Sequence, residues 1–265
     1  MNPYFPINLQ GKTALICGST QGIGWATAEI LASLGATCIL MARNETALQE
    51  KLNLLPRPDL QTHHYLVADF SDPNQVQQAA MKIAHTLPVH ILINNTGGPA
   101  SGPASTAPTE AFEKAFQQHL VCNQHLVQAL LPGMKAAGYG RIINIISVSV
   151  KIPIPNLGVS NTIRAAVAAW AKTLSLELAS HGITVNNVLP GFTDTERLRS
   201  LMAANAERFG KSELAIQQEM LSSVPANRFG TASEVAAVAA FLASPAASYV
   251  NGTSIPVDGG RTPSI

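Results

Sequence analysis

Short, almost wholly apolar segments alternate along this chain with longer segments that have apolar residues at helical spacing. Residues 13–17 form the first short run, and a helical pattern over residues 23–34 follows it. Runs this apolar are typical of strands that are covered on both faces, as in parallel sheets. Strands separated by helices form βαβ units, because a parallel neighbour requires a crossover connection. We therefore predict a doubly wound α/β fold, a single-domain Rossmann fold.

The same alternation continues along the rest of the chain. The other predicted strands cover residues 36–41, 64–68, 89–93, 141–147, 183–189 and 253–257. The other predicted helices cover residues 45–55, 76–87, 112–135 (as one helix or two), 159–180, 196–221 (with a break near Gly210) and 233–243, with Ser233 as the N-cap. No repeat or charged linker interrupts this order. A length of 265 residues is within the range of a single α/β domain, so we predict one domain over residues 1–265.

The charge balance argues against several classes of partner. The chain has 17 basic and 16 acidic residues, a net charge of +1, and only 12% charged residues. Nucleic-acid and anionic-membrane binding need a basic patch or stripe, which this balance does not supply. Hydrophobic residues make up 46% of the chain, which excludes a disordered polypeptide. We expect no nucleic-acid or membrane partner.

Cysteine usage and segment hydropathy bear on the cellular setting. The three cysteines are too few and too far apart for a disulfide framework, and no Cys/His cluster has zinc spacing. No run of about 18 apolar residues occurs, and residues 1–10 lack the pattern of a signal peptide. We expect a cytoplasmic protein without a metal site.

The first strand is followed directly by three glycines, Gly18, Gly22 and Gly24. Glycines allow the backbone to turn sharply and to approach a pyrophosphate, whose charge a helix N-terminus favours. Their spacing, G-x-x-x-G-x-G, differs from the usual G-x-G-x-x-G. Taken alone, the motif predicts either a dinucleotide site or a plain tight turn.

Together with four later motifs, the glycine motif resembles that of the short-chain dehydrogenase/reductase family. These motifs are Asp69 after the third strand, the Asn-Asn-Thr-Gly segment 94–97, Pro190-Gly191 with Thr195, and Gly252 with the Val-Asp-Gly-Gly segment 257–260. The resemblance covers nearly the whole chain and is strongest to members similar to 3-oxoacyl-(acyl carrier protein) reductase. It implies a seven-stranded parallel sheet with helices on both faces. It also implies a homotetramer whose subunits contact one another through the helix over 159–180 and the C-terminal strand.

The resemblance further implies a small carbonyl or alcohol substrate, such as a 3-oxoacyl thioester, and a nicotinamide dinucleotide cofactor. The cofactor-binding positions that it implies are Gly18, Ser19, Thr20, Gly22, Ile23, Gly24, Arg43, Asn44, Asp69, Phe70, Asn95, Gly97, Arg164, Pro190, Gly191, Thr193 and Thr195.

The end of the second strand bears on which dinucleotide binds. A carboxylate there would hold the adenosine 2′-hydroxyl, but residues 41–44 read Met-Ala-Arg-Asn. Arg43 can pair with a 2′-phosphate, which favours NADP(H) over NAD(H). Two observations favour the alternative that Arg43 does not select the cofactor: Arg43 also suits a solvated surface, and Gln21 stands where many NADP(H) members of the family carry a basic residue.

The catalytic positions depart from the family pattern of Asn, Ser and Tyr-x-x-x-Lys. Ser147 matches the family serine. The family tyrosine falls on Ser160, the lysine on Arg164 and the asparagine on His119. No tyrosine lies within residues 147–180. The proton-exchanging tyrosine of the family is therefore missing here.

The replacements keep part of the chemistry. Ser160 and Arg164 are four residues apart, so one helix face carries both. Arg164 can hold the nicotinamide ribose but does not shuttle protons, and Ser160 is a poorer acid than tyrosine. An imidazole titrates near pH 6.5, so His119 is a candidate proton donor. The alternatives are that His119 only fills a polar helix position, and that Asn123, one turn later, takes the asparagine role.

Two functions remain open from the sequence. The first is an NADP(H)-dependent oxidoreductase with a rearranged active site, which uses Ser147, Ser160, Arg164 and His119. The second is a catalytically impaired dinucleotide-binding protein, acting as a sensor or a structural subunit. The loss of both tyrosine and lysine supports the second, whereas the polar character of Ser160 and Arg164 favours the first.

Overall fold

The computed structural model describes residues 7–263, and seven strands lie within that range. They are β1 (Thr13–Cys17), β2 (Thr37–Ala42), β3 (His64–Val67), β4 (Ile91–Asn94), β5 (Gly140–Ile145), β6 (Ile183–Pro190) and β7 (Ser254–Val257). All of them pair in parallel, in the order β3-β2-β1-β4-β5-β6-β7. The predicted Rossmann sheet is thereby confirmed. Residues 1–6, part of the segment in which we expect no signal peptide, and residues 264–265 lie outside the described residues.

Nine α-helices connect these strands within the described range. They are α1 (Gly22–Ser33), α2 (Glu45–Leu54), α3 (Pro73–Thr86), α4 (Thr109–Phe116), α5 (Cys122–Ala136), α6 (Gly158–Leu178), α7 (Glu196–Phe209), α8 (Glu213–Ser222) and α9 (Ala232–Ala243). The predicted break in the segment 196–221 is confirmed: Gly210 ends α7 in the left-handed conformation, with φ of +62°. None of these helices has the length and hydropathy that crossing a membrane requires.

Helices cover both faces of the sheet. Apolar residues of α1, α2 and α9 pack on one face, and those of α3, α5 and α6 pack on the other. The central strands are fully buried; Leu15 and Ile16 of β1, for example, point to opposite cores. This burial explains why the strands are apolar without alternation. The order of the strands reverses direction between β1 and β4, and in such sheets ligands bind beyond the carboxyl ends of the strands at this point.

Most predicted helix limits differ from the structure by one to three residues, and the N-cap predicted for α9 is wrong. The N-cap of α9 is Thr231 and not Ser233: the Thr231 hydroxyl accepts from the Glu234 N–H, and the Glu234 carboxylate accepts from the Thr231 N–H. This reciprocal pair satisfies two N–H groups, which Ser233 inside the helix cannot do. The segment predicted as one helix or two over 112–135 is α4 and α5, joined by a π-helical turn at Gln117–Val121.

A ladder of hydrogen-bonded polar side chains, three of them buried amides, links the four neighbouring strands β4 to β7. Asn94 of β4 donates to Asn144 of β5 (2.8 Å), Asn144 donates to Asn187 of β6 (2.9 Å), and Asn187 donates to Ser254 of β7 (3.0 Å). These residues are direct neighbours in the strand register. A one-residue slip of any strand would leave buried amides without partners, so the ladder favours the observed register.

Candidate active site

A cleft of about 750 Å³ opens beyond the carboxyl ends of β1, β4, β5 and β6. It lies at the reversal of strand order, where the fold predicts a ligand. The structure brings sixteen of the predicted site residues to its wall: Gly18, Thr20, Gly22, Ile23, Arg43, Asp69, Phe70, Asn95, Gly97, Ser147, Ser160, Arg164, Pro190, Gly191, Thr193 and Thr195. Residues far apart in the sequence therefore share one site.

The glycine segment is packed too closely for side chains. A Cβ on Gly18 would lie 2.6 Å from the Asn95 carbonyl oxygen, and Gly18 has a φ of +58°. A Cβ on Gly24 would lie 2.2 Å from the Gly18 carbonyl oxygen. The Asn95 amide donates to the carbonyls of Cys17 and Gly18 and so ties this turn to the end of β4.

The N-terminus of α1 is left open by this turn. Its N-cap residue, Gln21, makes no side-chain capping bond, and the first turn of α1 holds no acidic residue. The first N–H groups of a helix need an acceptor, and the helix dipole favours a negative one. The open N-terminus and the glycine cradle fit a pyrophosphate.

Two charged side chains lie at the adenosine end expected for a dinucleotide. Arg43 follows β2, lines the cleft and is exposed. Asp69 follows β3, and the N–H of Ser71 donates to its carboxylate at 2.8 Å. That hydrogen bond, followed by smaller effects that include the positive charge of Arg43, lowers the pKa of Asp69. Asp69 is therefore an ionised acceptor at the cleft wall.

Two hydroxyl groups line the cleft near the end of β5. The Ser147 oxygen accepts from the N–H of Ser149 at 3.1 Å, which leaves the Ser147 O–H free to donate into the cleft. Ser160 is half-buried on the first turns of α6, and its side chain makes no hydrogen bond within the described residues. Both hydroxyls are therefore available to a substrate oxygen.

Arg164 is a buried cation at the cleft wall, with 9% of its surface exposed. It donates to the carbonyls of Ile145 (3.0 Å) and Thr96 (3.4 Å). Burial, and then the positive charge of Arg197, lowers the pKa of Arg164 to about 10. The guanidinium group stays charged at neutral pH and is held by the ends of two strands.

His119 lies behind the cleft wall. It is 2% exposed, and its Nδ1 is 2.6 Å from the Thr96 hydroxyl oxygen, while its Nε2 is buried without a partner. Burial, and then the charge of Arg164, lowers the pKa of His119 to about 3. The imidazole is thus neutral at physiological pH, and its hydrogen bond to Thr96 connects it to the cleft wall. Its role as a proton donor stays a prediction, and in this structure the proton would have to pass through the Thr96 hydroxyl.

We expect the buried neutral His119 to make stability depend on pH. The unfolded chain binds a proton near pH 6.5, whereas the folded chain does so only near pH 3. The contribution of His119 to the free energy of unfolding is therefore complete above pH 6.5. It falls as the pH drops towards 3, by about 1.4 kcal/mol per pH unit. His119→Asn should lose this part of the slope in urea unfolding between pH 5 and 7. The other histidines remain in both proteins, so parallel profiles of the two would contradict this expectation.

Four of the predicted site residues do not line the cleft. Ser19 is fully buried, with its hydroxyl directed at the Met41 carbonyl, and Asn44 caps α2 by accepting from the Ala47 N–H. Gly24 faces Gly18 rather than the cleft, and His119 is the fourth. Asn123, the alternative to the family asparagine, is buried and also does not line the cleft. The sequence motif identifies the segment, but the direction of each side chain depends on packing.

Seven polar residues outside the predicted set also line the cleft: Gln21, Thr96, Gln118, Asp194, Glu196, Arg197 and Arg261. Thr96 lies within the 94–97 segment that the family resemblance identifies, so the sequence already offered its hydroxyl as a candidate site group. Gln118 faces the cleft from the π-helical turn, whose extra residue an ordinary helical period does not predict. Arg197 comes from the start of α7 and depends on how that helix folds over the sheet.

A parallel sheet with a glycine cradle and an open helix N-terminus at its switch point defines a dinucleotide-binding α/β protein. A family model described as enoyl-(acyl carrier protein) reductase matches residues 18–262. The chain belongs to the short-chain dehydrogenase/reductase family. The family resemblance inferred from the motifs is confirmed.

Relatives of several activities are similar along nearly their whole length. The 3-oxoacyl-[acyl-carrier-protein] reductase FabG of Vibrio cholerae is 33% identical over 257 residues, covering 96% of this chain and 98% of that protein. The NADPH-dependent reductase BacG of Bacillus subtilis is 32% identical over 256 residues, covering 96% and 99%. The structure of L-sorbose reductase from Gluconobacter frateurii, complexed with NADPH and L-sorbose, superposes with a TM-score of 0.91 at 28% identity, covering 98% of this chain and 100% of that one.

Proposed function

We propose that this protein is an NADP(H)-dependent oxidoreductase that interconverts a carbonyl and an alcohol. The observation that carries the proposal is that Ser147, Ser160 and Arg164 share one cleft with the glycine cradle. BacG and L-sorbose reductase are named with NADPH, which supports NADP(H) over NAD(H). Arg43 at the cleft wall is the group that would pair with the 2′-phosphate.

The chain's own residues supply binding and charge stabilisation. Gly18, Gly22 and the N-terminus of α1 would hold the pyrophosphate, and Arg164 would hold the nicotinamide ribose. The bound nicotinamide supplies or accepts the hydride. The Ser147 O–H donates to the substrate carbonyl oxygen and so orients it. The positive charge of Arg164 stabilises the negative charge that develops on this oxygen during reduction.

The proton comes from a source other than tyrosine. We propose that Ser160 donates its hydroxyl proton to the substrate oxygen and takes one replacement proton from water in the open cleft, which leaves hydroxide in solution. Loss of general acid catalysis by a well-matched group slows such a reaction by about 10²–10⁴-fold without preventing it. The expected turnover is therefore slow compared with that of a family member that has the tyrosine.

The absence of a tyrosine from residues 147–180 favours a second candidate function. In this alternative the chain binds the dinucleotide but does not turn it over, and it acts as a sensor or a structural subunit. Both functions predict NADPH binding, so only substrate-dependent oxidation of NADPH distinguishes them.

The deciding experiment follows NADPH absorbance at 340 nm with a panel of ketones, sugars and an acetoacetyl thioester. Substrate-dependent loss of absorbance, absent with heat-denatured protein, supports the oxidoreductase. NADPH binding by titration without oxidation of NADPH by any compound supports the second candidate. Absence of NADPH binding contradicts both.

We expect Arg43→Glu to change the cofactor preference. The carboxylate would repel the 2′-phosphate of NADPH, whereas NADH has no phosphate there. Loss of a charge-assisted contact costs about 1.5–3 kcal/mol, so the Kd for NADPH should rise by about ten- to hundred-fold. The Kd for NADH should change little. Fluorescence titration with both cofactors measures this ratio, and an equal change for both would contradict the assignment of Arg43.

We also propose that the chain assembles as a homotetramer. The family resemblance implies contact through α6, and Leu176 on this helix is 72% exposed. An exposed leucine on a long helix is consistent with a covered face. Light scattering measures the assembly, and Leu176→Glu is expected to reduce its mass.

A further inference from the structure

Two guanidinium groups converge on one point of the cleft, next to Gly98. A Cβ on Gly98 would lie 3.6 Å from Nη2 of Arg164 and 3.7 Å from Nη2 of Arg197. Arg164 reaches this point from α6 and Arg197 from the first turn of α7. The positive charge of Arg197 contributes, after burial, to the lowered pKa of Arg164.

Neither arginine has a carboxylate partner among residues 7–263. The ion pairs among residues 7–263 join Arg199 to Asp194, Lys211 to Glu219, and Arg228 to Glu234. Arg164 and Arg197 instead donate to neutral carbonyl oxygens, and the bond from Arg197 to Pro99 is 2.7 Å long. Carbonyls satisfy hydrogen bonds but leave the net charge uncompensated. A buried cation without a counter-charge is costly, and a like charge beside it adds to the cost.

The start of α7 adds further positive potential. Arg197 stands in the first helical turn, where the helix dipole already favours negative charge. Neither neighbouring acid forms an ion pair with the two arginines within residues 7–263: Asp194 is paired with Arg199, and Glu196 lines the cleft. Three positive contributions therefore meet where free guanidinium N–H donors remain, since a guanidinium has five of them.

We infer that the substrate carries a carboxylate and that Arg164 and Arg197 bind it beside Gly98. This inference rests on the proposed function, because it concerns the substrate of the same cleft. A planar guanidinium fork matches the two oxygens of a carboxylate. The pyrophosphate of the cofactor has its own place at the N-terminus of α1, which leaves this second anion site to the substrate. The substrate class is thus a small oxo or hydroxy acid.

Two pairs of probes separate anion binding from turnover. Acetoacetate and methyl acetoacetate share a ketone but differ in the carboxylate. Malonate and dimethyl malonate differ in the same way and have no ketone to reduce. Calorimetric titration of the protein loaded with NADP⁺, which cannot reduce a ketone, gives the affinities for each probe at low and at high salt. The variants are Arg197→Gln, Arg197→Lys and, as a matched control on the same helix, Arg208→Gln, which removes an arginine that does not line the cleft.

We expect the two carboxylates to bind about ten-fold or more tightly than their esters, and high salt to weaken them. Arg197→Gln should weaken them by about ten- to hundred-fold, since a charge-assisted hydrogen bond is lost. Arg197→Lys should recover part of this loss, and Arg208→Gln should leave the affinities unchanged. Esters that bind as tightly as the acids, or acids that do not bind, would overturn the inference.

Two further outcomes have distinct meanings. If Arg197→Gln weakens NADPH and leaves malonate unaffected, Arg197 serves the cofactor and the inference is wrong. If malonate binding depends on Arg197 but no carbonyl compound oxidises NADPH, the anion site stands and the proposed oxidoreductase function fails.

Discussion

Replacing Gly24 by alanine is expected to destabilise the fold and to weaken dinucleotide binding together. The new methyl group would lie 2.2 Å from the Gly18 carbonyl oxygen and 2.6 Å from the Asn95 amide nitrogen. Neither neighbour yields easily, because Gly18 already has a positive φ and Asn95 is bonded to this turn. Overpacking of this kind costs about 1–3 kcal/mol. The displaced cradle should raise the Kd for NADPH by about ten-fold or more, a factor that corresponds to 1.4 kcal/mol.

The same substitution at Gly133 is a matched control. Gly133 also lies inside a helix, α5, but a Cβ there would meet nothing within 4 Å. Gly133→Ala should stabilise the protein by about 0.5–1 kcal/mol, the ordinary helix preference of alanine, and leave NADPH binding unchanged. Urea unfolding and NADPH titration of both variants measure the contrast. A Gly24→Ala protein that behaves like Gly133→Ala would contradict the close packing of the cradle.

Replacing Arg164 by methionine is expected to reduce kcat/KM with NADPH by about 10²–10³-fold, the usual effect of losing one donor to a developing oxyanion. Methionine keeps much of the side-chain volume but removes the charge and the bonds to Ile145 and Thr96. Because isolated buried charges are costly, the loss of stability should be small in comparison. A fall in activity without unfolding is therefore the signature of a role in the site.

Arg164→Lys separates charge from geometry. Lysine restores the residue that the family resemblance implies, and it keeps the positive charge but not the fork that reaches two carbonyls. We expect it to recover part of the activity lost in Arg164→Met, with circular dichroism and unfolding curves confirming that all three proteins are folded. Equal activity of the parent and the methionine variant would show that the buried cation takes no part in the reaction.

The strands and the cofactor segment were predictable from local pattern. Residues 13–17 coincide with β1, and the other strands begin and end within two residues of their predicted limits, because burial on both faces demands continuous apolar runs. The capping error at α9 has a different origin. Ser233 and Thr231 are both good N-caps, and only the reciprocal bonding with Glu234 selects Thr231.

The contacts around His119 could not be predicted from the local sequence pattern. Its partner Thr96 lies 23 residues earlier, and Arg164, which donates to the Thr96 carbonyl, lies 45 residues later. The sequence marked His119 and Arg164 as departures from the family, but as separate ones. The fold brings them into a single group of contacts through Thr96.

The sequence by itself determined the parallel sheet, the glycine cradle and the absence of the family tyrosine. These follow from burial pattern, from residues without a Cβ and from residue identity, all of which are local properties. The tertiary structure alone decided that His119 is buried and neutral and that Arg164 and Arg197 meet beside Gly98. Exposure, pKa and the meeting of charges depend on which distant segments pack against a residue, and that is a property of the folded chain.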